Sequence, residues 1–216
     1  MIRAKLKHLS VEEFANTITH GFGLLLSIVG FVVLVVMAGI KGGALLVISC
    51  VVYGISLIVL YAASTIYHGI TSPELKRRLQ VLDHCCIYLL IAGSYTPFGL
   101  VILGDGIGTS LLALIWAFAV IGVVSKIFLK NRFAAVSVVS YVLMGWLGVF
   151  AVKPLLAALG PAPVGLAVAG GIAYTLGVVF FPMHKLRHNH AIFHVFVLLG
   201  SFLHYLAVIM YVVPRG

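Results

Sequence analysis

Residues Asn189 to Val213 read NHAIFHVFVLLGSFLHYLAVIMYVV, and His190, His194 and His204 are the only charged or imidazole side chains in the run. About 20 mostly apolar residues on a helix cross a bilayer core, so this run reads as a spanning helix. His190 and His194 are one helical turn apart on one face, the spacing at which two imidazoles can share a metal ion. Histidines inside a span face the bundle interior, a cavity or each other, which marks the pair as a functional site.

The composition agrees. Of 216 residues, 62% are hydrophobic and 9% charged, and the mean hydropathy is +1.21. Such a chain has too little polar surface for a water-soluble domain. Its apolar runs are continuous, which points to spanning helices and not to barrel strands of alternating polarity. The net charge of +9 sits in short loops, where topology explains it better than nucleic acid does. Cys50, Cys85 and Cys86 have neither metal nor disulfide spacing and read as small buried residues.

Working outward from the last run, the expected fold is an all-α polytopic bundle of seven transmembrane helices, forming one membrane domain over 1–216. The spans fall at about 18–40, 44–68, 81–103, 109–128, 134–152, 164–181 and 190–213. Residues 1–9, with Arg3, Lys5 and Lys7, suit a membrane surface, and no cleavage pattern marks the first span as a removable signal. Ser10 and Glu13 fit a capping box at the start of the first helix. Pro97 predicts a kink, Gly170 and Gly171 predict close packing, and residues 160–163 read as a plain loop. With Lys126 counted in the loop it adjoins, eleven Lys and Arg fall on one side of the membrane and three on the other. The positive-inside rule then puts the N-terminus in the cytoplasm and the C-terminus outside.

This topology brings the polar residues together. Ser64 and His68 end the second span, Asp83 and His84 begin the third, and His190 and His194 begin the seventh, all at the cytoplasmic side. Three histidines with one exchangeable position make a catalytic type of tetrahedral zinc site. Copper, nickel and iron share the same preference for nitrogen donors. Asp83 would take or hold a proton there, and Ser64 would donate to water or to a developing oxyanion. In the competing reading, His68 and Asp83 meet headgroups, His190 caps a helix and the polar groups only join helices. Glu12, Asn16 and His20 form a helical stripe that either supports the ligands or is a solvated helix entrance. His84 reads as a supporting or packing residue. His184 and His188 flank Lys185 and Arg187 and read as interfacial. His204 is about 15 Å beyond His194 and reads as bonding a neighbouring helix.

These residues resemble the haemolysin III family, the bacterial branch of the progestin and adiponectin receptor group. The resemblance rests on Glu12, Asn16 and Thr19-His20-Gly21, on Tyr61 to His68, on Leu82-Asp83-His84 and on Ile91 to Pro97. It continues through Met144-Gly145-Trp146 and Asn189 to His194, so it covers nearly the whole chain. It implies zinc held by His68, His190 and His194 with Ser64 and Asp83 beside it, and kinship with alkaline ceramidases. His184 and His188 lie outside that pattern.

Three functions follow as expectations. The first is zinc-dependent hydrolysis of a lipid amide or ester drawn from the bilayer of a bacterial inner membrane. The second is a non-enzymatic regulator or receptor-like protein whose zinc is structural. The third is a cytolytic pore, which the scarcity of ionisable groups in the spans restricts to a homo-oligomer.

Overall fold

The computed structural model describes residues 9–129, 132, 134–183 and 185–216, and among these every regular element is a helix. The expected surface segment at residues 1–8 and the interfacial His184 lie outside the described residues. Among the described residues six helices are long and apolar enough to cross a membrane, and the chain is a membrane protein. Helix α1 runs Val11–Lys41 and α2 Ala44–Gly69. They are joined by Gly42 and Gly43, both at φ 85°, a backbone region that costs glycine little.

The longest apolar element, Pro73–Leu129, covers two of the expected spans. It comprises α3, Pro73–Pro97, a widened segment Phe98–Gly108 and α4, Thr109–Leu129. Pro97 lacks the N–H that would bond one turn back, so the ladder slips to wider turns after it. The backbone stays helical at Pro97 itself, and the sharp change of direction comes later than the kink expected there. The helix breaks at Gly104, Asp105 and Gly106, whose backbone angles are non-helical. Beyond the break α4 packs along α3, tied by Trp116 Nε1 to Thr96 Oγ1 at 3.3 Å.

Helix α5, Ala134–Gly145, passes through a tight segment Trp146–Ala151 into α6, Val152–Leu159. The expected loop at 160–163 is shorter than predicted. Gly160 alone makes the turn at φ 80°, and Pro161 already opens α7, Pro161–Phe180. Proline suits that first helical position because no partner exists there for an N–H. Helix α8, Asn189–Ala207, continues through two short tightened or widened segments to Arg215.

The main core lies between α1, α2, α3 and α8 with its continuation, and includes Leu34, Tyr53, Tyr61, Leu90, Val208 and Val212. Outward faces carry exposed apolar side chains such as Val29, Ile121, Val136 and Phe150, as lipid contact requires. The three cysteines are free and buried. Gly170 packs so tightly that a Cβ would overlap the His204 ring, whereas Gly171 keeps ordinary distance from Trp146.

One polar knot fastens this core. Ser201 Oγ of α8 meets Tyr61 Oη of α2 at 2.8 Å and Tyr174 Oη of α7 at 2.9 Å. Ser201→Ala is expected to lower stability by about 1 kcal/mol, because it strips a partner from two buried phenols. Unfolding of the detergent-solubilised variant beside wild type would measure the loss.

Candidate metal centre

The site begins where α2 ends. His68 occupies the last turn of α2, and His190 and His194 occupy the first turns of α8, so two helix ends meet. One nitrogen from each of the three imidazoles lies within 4.8 Å of the others. Ring centroids are 4.9 Å apart for His68 and His190, 5.0 Å for His68 and His194, and 4.6 Å for His190 and His194. His68 is 2% exposed and His194 1%, so water does not satisfy them.

Two of the rings are oriented from behind. His68 Nδ1 is 2.6 Å from Glu13 Oε2, and a carboxylate only accepts, so Nδ1 carries the proton. His194 Nδ1 is 3.2 Å from Thr19 Oγ1. The Thr19 hydroxyl donates its one proton to a carbonyl of its own helix, Ala15 or Asn16, each at 2.9 Å. It therefore accepts from His194. Both rings are left with Nε2 as the free donor atom, and His68 Nε2 is buried without a partner among the described residues. Burying an imidazole nitrogen unpaired costs about 1–3 kcal/mol. Neutral imidazoles, fixed tautomers and an unpaired nitrogen facing two more histidines are what a metal ion needs. The residues therefore fit a bound metal, and three nitrogen donors leave positions open for other ligands.

Beside the cluster is a cavity of about 190 Å³, walled by His20, Ser64, Asp83, His84, His190 and His194 together with many apolar side chains. Ser64 and Asp83 are 1% and 8% exposed, and the Ser64 hydroxyl lies against the Asp83 carboxyl. A second cavity of about 170 Å³ shares Tyr95, Trp146, Gly171 and His204 with the first. The polar end therefore opens onto a long apolar wall.

The stripe on α1 is only partly as expected. Asn16 and His20 are buried, and Asn16 touches His68 Nδ1 at 3.4 Å. His20 stacks on His194 with centroids 3.4 Å apart and stands edge-on to Tyr61 at 5.1 Å. Glu12 points outward and is exposed, so the carboxylate that reaches the histidines is Glu13. The capping-box reading had assigned Glu13 to the helix start. Ser10 Oγ does accept from Glu13 N at 3.2 Å, but the Glu13 side chain turns to His68 instead of back to Ser10.

His84 lines the cavity and is not one of the three clustered histidines. His204 also departs from expectation. Its Nδ1 bonds Gly200 O at 2.8 Å within its own helix, and it meets α7 by stacking on Tyr174. Lys126 was missed as a site residue because it was counted with a loop. It is 2% exposed inside α4 and lines the cavity. The apolar residues Ile127, Phe128 and Leu129 after it were the available signal, since they carry the helix past it.

A helical membrane bundle with a three-histidine cluster of which His68 and His194 are buried and His190 is half-buried, a neighbouring Ser and Asp, and an apolar cavity defines the class of protein. The family profile described as haemolysin-III related matches residues 9–205, and the chain belongs to that family. It is 46% identical over 205 residues to "Hemolysin-3" of Bacillus cereus, covering 95% of this chain and 94% of that one. It is 45% identical over 202 residues to "Hemolysin-3 homolog" of Bacillus subtilis (strain 168), covering 94% and 95%. A distant relation, 29% identity over 209 residues, joins it to the "Monocyte to macrophage differentiation factor" of Homo sapiens, covering 93% and 84%. That factor is of the progestin and adiponectin receptor type.

Proposed function

We propose that the chain is a zinc-dependent hydrolase of a lipid amide or ester, working at the cytoplasmic side of a bacterial inner membrane. The observation that carries the reading is a three-histidine cluster of which His190 and His194 share the wall of one apolar cavity with Ser64 and Asp83. Seven spans forming one domain over 1–216, with a cytoplasmic N-terminus, complete it. The break at Gly104–Gly106 and the packing of α4 along α3 support dividing Pro73–Leu129 into two spans.

His68, His190 and His194 would hold the metal. Zinc, when bound, would lower the pKa of water toward about 7 and polarise a carbonyl. Asp83 receives the proton of the attacking water and delivers it to the leaving amine or alcohol. Ser64, against Asp83, orients that carboxylate or donates to the oxyanion. The apolar wall takes the acyl chain and excludes bulk water.

Purified zinc-loaded protein tested on a panel of lipid amides and esters would release fatty acid from at least one class. Metal retained with no release from any member would favour a regulator whose metal joins helices. The name of the Bacillus cereus relative suggests lysis, which liposome leakage rising steeply with protein concentration would support in place of hydrolysis.

A further inference from the structure

The polar contacts behind His68 form a chain that crosses three helices. Glu13 Oε2 lies 2.6 Å from His68 Nδ1, and Glu13 Oε1 lies 2.8 Å from Lys76 Nζ. Lys76 Nζ also donates to the Tyr67 carbonyl at 3.3 Å and stands 4.9 Å from the Tyr67 ring centroid. Each carboxylate oxygen thus has one partner. The lysine is itself anchored to the residue preceding His68, so α1, α2 and the first turn of α3 close on one point.

We propose that Glu13 is the positioning residue of the metal centre, with Lys76 as its clamp. The proposal rests on the metal reading of the histidine cluster. The carboxylate holds the proton on Nδ1 of His68, turns Nε2 toward His190 and His194, and raises the basicity of that nitrogen. Lys76 keeps the carboxylate charged and stops it from rotating into water, where 28% of the Glu13 side chain is still exposed.

Asn16 does not substitute for it. Asn16 Nδ2 and a protonated Nδ1 are both donors, so no hydrogen bond joins them across their 3.4 Å contact. Exchanging the amide nitrogen and oxygen would let Oδ1, which lacks a partner among the described residues, share the same proton. Even so, Asn16 would add a neutral and longer contact to a charged and short one.

The assignment predicts metal affinity without reference to turnover. Zinc dissociation constants would be measured on the full chain in detergent by competition with a chromophoric chelator. The absorption spectrum of the cobalt-substituted protein would report ligand geometry. Glu13→Ala is expected to weaken zinc binding roughly 10- to 100-fold and to shift the cobalt spectrum. Glu13→Gln keeps the volume and an acceptor, so it should lie between that variant and wild type. Lys76→Met should weaken binding less than Glu13→Ala, because the bond from His68 to Glu13 remains. If Glu13→Ala does not fold, the isosteric Gln variant carries the test on protein of wild-type helix content.

Zinc affinity within twofold of wild type in both Glu13 variants overturns the assignment alone. So does a loss that appears in Glu12→Gln and not in Glu13→Gln. A wild type that binds no transition metal overturns the metal reading and this assignment together.

Discussion

In His194→Ala, bound metal is expected to fall from about one ion per chain to less than about a tenth of that after gel filtration. His194 is the deepest of the three clustered imidazoles and is 1% exposed. Its removal leaves two nitrogen donors at the mouth of the bundle. No other group of three His, Cys, Asp or Glu among the described residues gathers donor atoms this closely. His20 would not replace it, because it packs flat on the lost ring and its nitrogens are not among the clustered donors. Elemental analysis of variant and wild type purified side by side gives the answer. A full complement of metal in the variant would place the site elsewhere.

Asp83→Asn separates holding the metal from using it. The carboxamide fits the same space beside Ser64 but cannot take a proton. Zinc content should therefore stay at the wild-type level, while turnover falls by at least about 100-fold. The comparison requires equal metal loading, so that the lost rate belongs to the proton transfer. Asp83 is 8% exposed and lines the cavity, and asparagine has the same number of heavy atoms, so the substitution leaves no hole. Wild-type turnover in this variant would remove Asp83 from the chemistry and leave it a helix-joining polar group.

Much of this centre was legible in the sequence because helical periodicity is local. The four-residue step from His190 to His194 fixed their common face, and span order placed His68 and Asp83 at the same end of the bundle. Orientation across helices was not legible. Glu12 and Glu13 are neighbours, and only the rotation of α1 against α2 decides which one meets His68. The capping motif at Ser10 supplied a sufficient local explanation for Glu13 and so concealed its longer contact. Lys126 was hidden similarly, because loop charge and helix-end charge look alike until the helix is seen to continue to Leu129. Proline misled at residues 160–163, where it starts α7 instead of lengthening a loop. His204 satisfies its Nδ1 within α8, an option that the polarity of a lone intramembrane histidine does not reveal.

The most direct test of the hydrolase reading is fatty-acid release by one preparation carried through three states: zinc-loaded, chelator-stripped and reloaded. Release that stops on stripping and returns on reloading, with Asp83→Asn inactive throughout, is the predicted result. No release above the Asp83→Asn background from protein carrying one zinc per chain, across amides and esters of several chain lengths, would contradict it.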